Sequence, residues 1–207
     1  MKDLKELVIN ISEGESAAHS YIIEGKSGSA RDSFLMKLLS GLECLEDDVM
    51  KRPCGVCAAC MQTEALSHPD IVYMQKSGKR GYRTEDAAAF MERLCMRPYG
   101  RFLIGVIDDA ELLSETVQNK LLKTLEEPAQ DVIIILITSR SDELLGTVRS
   151  RCSLIRTDEY SGYASAEDEK ASEELKEGVA LMLSKTGDFC DFREFIEKNI
   201  KTAEDAA

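Results

Sequence analysis

Apolar residues fall along the chain in short runs separated by glycine, proline and charge. "HSYIIEG" is a short apolar run that predicts a buried strand. A glycine loop follows, and then "FLMKLLSGL", a helix that Ser29 or Asp32 could open and that runs toward Cys44. "AACMQTEALS" has helical spacing, "PDIVYM" reads as a strand, and "GKRGYR" as a polar turn. "TEDAAAFMERLCMR" places Ala87, Phe90, Met91 and Leu94 on one helical face. "RFLIGVIDD" and "DVIIILIT" are apolar on both faces, as strands covered on both sides are. Between them "SETVQNKLLKTLEEP" predicts a helix capped by Ser114, striped by Val117, Leu121, Leu122 and Leu125, and stopped by Pro128. "SDELLGTVRS" reads as a short helix and "CSLIR" as a last strand. Strand and helix in alternation predict an α/β fold, a doubly wound parallel sheet with flanking helices.

After Arg156 the pattern fades. "TDEYSGYASAEDEKASEE" is acidic, rich in small residues and read as a linker, with helical segments "LKEGVALMLSK" and "DFREFIEKNI" beyond it. At 207 residues and 43% hydrophobic the chain can bury a real core. A net charge of −12 makes it a poor free-standing nucleic-acid binder. The N-terminus lacks the apolar core of a signal peptide, and no run reaches membrane-spanning length. The expectation is a cytoplasmic protein with no membrane contact.

Seven cysteines, an odd count, argue against a disulfide framework. Cys44, Cys54, Cys57 and Cys60 follow C-x9-C-x2-C-x2-C spacing inside a polar stretch, "PCGVCAAC". Four thiolates close a tetrahedral shell and leave no open position, so the expected cofactor is one structural Zn²⁺. Cys95, Cys152 and Cys190 read as ordinary small apolar residues. His19 and His68 are isolated and read as structural.

"EGKSGSARDS" stands between strand and helix, where a phosphate loop G-x-x-x-x-G-K-[ST] would stand. Counted from Gly25, through Gly28, the last three positions are Ala30, Arg31 and Asp32. Ala30 adds a Cβ where the backbone must approach phosphate. Arg31 is planar and bulkier than lysine. Asp32 replaces the Mg²⁺-binding hydroxyl with a carboxylate. A like charge about 5 Å from a phosphate costs about 3 kcal/mol at an effective dielectric near 20. The same carboxylate is stable at a helix N-terminus with no ligand, where it can accept from free N–H groups. No bound ATP is expected.

In order and spacing, "HSYIIEG", "PCGVCAAC", "HPDIVYM", "VIDDAELLSETVQNKLLKTLEEP" and "ILITSRSDELLGTVRSRC" resemble the bacterial DNA polymerase III clamp loader, a family of AAA+ ATPases. The match covers about residues 1–157. It implies an AAA+ domain there with a zinc module at 44–60, and over 158–207 a short lid or the first collar helices. The chain looks too short for a complete collar and reads as truncated. The family has ATP-hydrolysing motor subunits (gamma/tau) and a delta-prime subunit that does not hydrolyse ATP, and the broken loop points to the latter. The acidic pair Asp108-Asp109 stands where active members carry Asp-Glu, and reads as two solvated carboxylates. Thr138 and Ser139 read as vestigial. The resemblance implies that Arg151, in "SRC", projects into a neighbour's ATP site. Position alone also allows pairing with a carboxylate such as Glu143. Lys120 and Lys123 fit a solvated helix face as well as a subunit contact. The implied role is a scaffold in a hetero-pentamer with motor and delta subunits, acting on the sliding clamp and primed DNA. It would have no ATPase activity of its own, yet belong to the DNA polymerase III holoenzyme. Two other readings are a slow NTPase using Arg31 and Asp108, and a zinc-bearing interaction module without ATP chemistry.

Overall fold

The computed structural model describes residues 2–13, 18–77 and 81–161. The chain divides into two units, Met1–Ala164 and Ser165–Ala207, and the helical segments expected after the linker lie outside the described residues, as does Cys190.

In chain order the first unit runs β1 (Lys2–Asp3), α1 (Leu4–Ser12), β2 (Ser20–Glu24), α2 (Ser29–Glu43), α3 (Ala58–Glu64), β3 (Ile71–Tyr73) and α4 (Thr84–Arg93). It continues through β4 (Leu103–Ile107), α5 (Glu115–Glu126), β5 (Val132–Thr138), α6 (Gly146–Arg149), β6 (Ser153–Arg156) and β7 (Tyr160–Ser161). Five strands form one parallel sheet in the spatial order β3-β4-β5-β2-β6. The sheet is covered on both faces, as its uninterrupted apolar strands require.

Alternation along each strand divides the core in two. Ile22, Ile134 and Leu136 point to one face and meet Phe90, Leu94, Val117, Leu121 and Leu125 of the α4–α5 layer. Tyr21, Ile23, Ile133, Ile135 and Ile137 point to the other and meet Leu4, Val8, Phe34, Leu38, Leu39 and Leu42 of the α1–α2 layer. The period of 2 in the strands thus feeds two helix layers. Gly105 in β4 makes room on the first face, since a Cβ there would lie 2.7 Å from the Phe90 ring.

Several expectations are corrected. The N-terminal segment, for which the sequence reading gave no element, forms α1, capped by the Asp3 carboxylate accepting from the Lys5 N–H at 3.0 Å. "SDELLGTVRS" splits into a 3₁₀ turn at Ser141–Glu143 and the single-turn α6. β6 is an edge strand with one buried residue, Ile155. Thr157–Ser161, read as linker, is packed: β7 pairs with β1 in parallel, and the Tyr160 ring meets Phe34 edge-on at 5.4 Å. Cys95, read as an ordinary small apolar residue, is exposed, with its Sγ donating to the Met91 carbonyl at 3.3 Å. Among the described residues no helix is long and apolar enough to cross a membrane.

The α1–α2 contact yields a test. Gly41 faces Val8, and an added Cβ would stand 2.7 Å from Val8 Cγ2. Gly41→Ala should therefore destabilise the protein by about 1–3 kcal/mol through overpacking, against a helix-propensity gain of about 1 kcal/mol. In urea melts the damage should be partly relieved when Val8→Ala is added, giving a favourable coupling in the double-mutant cycle.

Candidate metal centre and phosphate loop

The apolar face of α2 carries the chain to Cys44, which is buried at its C-terminal cap. The excursion then turns through a 3₁₀ segment at Val49–Lys51, whose cap Asp48 accepts from the Met50 N–H at 3.1 Å. Arg52 anchors the turn by donating to the Glu46 carbonyl at 2.6 Å. Gly55, with φ 74°, supplies the left-handed residue between Cys54 and Cys57. Cys57 caps α3, its Sγ accepting from the Cys60 N–H at 3.5 Å.

These turns bring all four sulfurs within 4.8 Å of one another. Cys44 Sγ and Cys57 Sγ are 4.0 Å apart, and the Cys54 N–H donates to Cys44 Sγ at 3.4 Å. A tetrahedral zinc with Zn–S of about 2.3 Å places sulfurs roughly 3.8 Å apart. The donor set and spacing therefore fit Zn²⁺, and the group is a candidate metal-binding cluster. Burial opposes ionisation at Cys57, but N–H donors from Leu45 and Cys60 and neighbouring thiols outweigh it and bring the thiol down to about 6. At Cys60 burial dominates and pushes the thiol up to about 12. Cys152 lies apart and is also pushed up to about 12 by burial.

At the other end of α2 the glycine loop leaves β2. The Gly25 N–H donates to the Thr138 carbonyl at 3.1 Å, and the Thr157 side chain fills the space where a Gly25 Cβ would stand. Gly28 caps the helix with φ 149° and no side-chain bond, so Ser29, not Asp32, is the first helical residue. Ala30 lies in the first turn. Arg31 is only 5% exposed. Its Nη2 lies 3.5 Å from Asp108 Oδ1 and 3.7 Å from Asp32 Oδ1. Asp32, within the first turn, thus stands beside a cation of its own loop.

The acidic pair is not merely solvated. Asp108 receives Arg31 and the Asp109 N–H at 2.9 Å, while the Tyr82 hydroxyl donates to its carbonyl. Asp109 adopts φ 44° and pairs with Lys76 at 2.6 Å. Thr138 is fully buried. Ser139 donates to Glu111 Oε1 at 2.8 Å, a partner the sequence reading did not single out. Lys120 reaches the Thr84 carbonyl at 3.1 Å and ties α5 to α4.

Arg151 follows α6, with its side chain 31% exposed. It pairs with Glu126 at 3.0 Å, and Nη1 donates to the Thr147 carbonyl at 3.1 Å. Glu143, the partner suggested by position, is held instead by Arg140 at 2.6 Å. His68 is buried, as a structural histidine would be, but it sits with Glu43 and Asp70 in a second group that the sequence reading missed. Burial first, and then the Asp70 charge, push the Glu43 carboxyl up to about 8.

A parallel sheet of this order, with a glycine loop after β2 and a four-cysteine excursion, defines an AAA+-like α/β fold. The chain belongs to the family described as "DNA polymerase III, delta subunit", whose model matches residues 1–160. DNA polymerase III subunit tau of Escherichia coli K12 is 33% identical over 135 residues, covering 65% of this chain and 20% of that protein. Subunit delta' of Bacillus subtilis 168 is 30% identical over 150 residues, 72% of this chain and 45% of the relative. Subunit delta' of Escherichia coli K12 is 31% identical over 154 residues, 73% and 46%. The chain thus spans less than half the length of these relatives. What they share with it is kinship to DNA polymerase III clamp-loader subunits, tau, gamma and delta' together. A DNA polymerase III gamma subunit-related protein of Thermotoga maritima has a similar fold, with TM-score 0.59, 21% identity and coverage of 80% of this chain and 47% of that one.

The cluster geometry predicts metal content. Freshly prepared, reduced protein should carry one tightly held Zn²⁺ in the cysteine cluster by elemental analysis. Cys57→Ser should abolish or sharply weaken it and lower the melting temperature, because metal binding contributes folding free energy. Cys95→Ser should change neither.

Proposed function

We propose that this chain is a zinc-bearing, non-hydrolysing subunit of a DNA polymerase III clamp loader, of the delta-prime type. Zn²⁺ held by Cys44, Cys54, Cys57 and Cys60 locks the module that carries α3. The first unit serves as an AAA+ scaffold within a hetero-pentamer of motor (gamma/tau) and delta subunits. The sliding clamp and primed DNA are engaged through that complex in the cytoplasm.

One observation carries the absence of ATP chemistry. The Arg31 charge, which would have to meet phosphate, is turned onto Asp108 and Asp32 inside the protein. Phosphate binding would have to break these contacts and then face both carboxylates. Asp109, committed to Lys76, is likewise not free to orient a water. A weak nucleotide site is the second reading, favoured by one observation: Nε and Nη1 of Arg31 are buried without hydrogen-bond partners.

A finer proposal concerns Arg151. Its place just after α6, with the side chain partly exposed, supports a role across a subunit interface. Glu126 holds the side chain in the isolated chain, and a neighbour's γ-phosphate would compete for it as a stronger bidentate acceptor. A guanidinium at that position stabilises charge developing on the transferring phosphoryl group.

Two measurements test these readings. Calorimetry of the isolated chain with Mg·ATP should give no binding tighter than about 10 µM. Ala30→Gly with Arg31→Lys and Asp32→Thr should recover some. Tight binding by the unaltered chain would instead favour the weak-NTPase reading.

In the reconstituted loader with clamp and primed DNA, Arg151→Ala should leave zinc and assembly intact and lower ATP turnover at one neighbouring site by about 10³-fold. Arg151→Lys should not fully restore it, and Arg149→Ala should be mild. Unchanged turnover with Arg151→Ala would remove the finger and leave the zinc-bearing scaffold.

A further inference from the structure

Glu43 is the last residue of α2, and His68 and Asp70 flank Pro69 just before β3. Their exposures are 1%, 8% and 1%. One ligand atom from each lies within 4.8 Å of the other two. Two carboxylates are seldom buried together without a cation. Among the described residues, neither Glu43 nor Asp70 has an ion pair with lysine or arginine; the nearest basic group to Glu43 is His68, with Nε2 at 4.0 Å from Oε2.

Two further observations concern these carboxylates. Glu43 Oε1 is buried with no hydrogen-bond partner. Glu43 Oε2 and Asp70 Oδ2 also converge beside Gly100: a Cβ there would stand 2.8 Å from the first and 3.2 Å from the second. Asp70 is already fixed for such a role. Its oxygens accept from the N–H groups of Tyr99 at 2.9 Å and Gly100 at 2.7 Å, which orient the carboxylate and leave lone pairs unused.

We propose that Glu43, His68 and Asp70 form a second divalent-cation site, separate from the four cysteines. A dication there balances the charge of two carboxylates that no lysine or arginine pairs with. One imidazole and two carboxylates suit Mn²⁺ or Zn²⁺ rather than the soft ions that thiolates select. The imidazole takes part through Nε2, the atom facing Glu43. Nδ1 now faces the Asp70 N–H at 3.3 Å, so neutral His68 carries its proton on Nε2. Cation binding transfers that proton to Nδ1 and turns the ring off the Asp70 amide.

The test uses the full chain with its cysteine cluster first filled with one equivalent of Zn²⁺. Mn²⁺ is then titrated and followed by electron paramagnetic resonance. One further saturable Mn²⁺ per chain is expected. Glu43→Gln and Asp70→Asn should each weaken it by at least about tenfold. Gly100→Ala, which keeps all three ligands but fills the space between them, should do the same. Glu43→Gln preserves the shape of the side chain, so its metal-free melting temperature should equal or exceed that of the unaltered protein. Cys57→Ser should lose Zn²⁺ yet keep Mn²⁺, which separates this site from the cysteine cluster. The absence of saturable Mn²⁺ binding by the folded, zinc-loaded chain would overturn the proposal, as would equal binding by Glu43→Gln.

Discussion

Phe34, Leu38, Leu39 and Leu42 are almost wholly buried and hold α2 against the sheet. The helix is apolar over more of its surface than a solvent-facing helix, because α1 covers it from outside. Its fifteen residues span about 22 Å. One end presents the glycine loop and Arg31, and the other delivers Glu43 and Cys44. Loop chemistry and metal chemistry are therefore far apart yet rigidly related. A change that tilts α2 disturbs both ends together.

The charges at the loop end face one another. A buried guanidinium is costly unless it is paired. Asp108, just after β4, answers part of that cost through Nη2, while Nε and Nη1 stay without hydrogen-bond partners. Asp32 adds a second carboxylate from within the helix. One arginine and two aspartates thus form a cluster of opposite charges at the N-terminal end of α2. The lysine–aspartate pair at Asp109 extends the same logic to the surface.

Elements marked by local chemistry were legible in the sequence. Ser114 and Pro128 bracket α5 as their capping and helix-breaking chemistry dictates, and the apolar run of β5 is buried throughout. The cysteine spacing pointed to one cluster, and the sulfurs do converge. What escaped depends on distance along the chain. Arg31 meets Asp108 77 residues away, and Arg151 meets Glu126 rather than the carboxylate nearer in sequence. The two-residue strands β1 and β7 are too short to show a period. Helix α1 did carry an apolar spacing, at Leu4, Val8 and Ile11, but Lys5, Glu6 and Asn10 interrupt it within only nine residues. Glu43, an acid at the end of an apolar helix, and His68 beside a proline offered no spacing signal at all.

The pairing of β1 with β7 has a consequence for biosynthesis. Lys2 and Glu159 form an ion pair 2.8 Å long across 157 positions of sequence. A ribosome delivers the N-terminal strand first and its partner only at the end of the domain. Until Tyr160 emerges, Phe34 lacks its aromatic neighbour and β1 has no strand to join. Closure over so long a stretch must follow the local pairings that build the sheet. The order of synthesis thus makes this short clasp the final step of the domain's assembly, and a nascent chain released before it would expose the flank of α2.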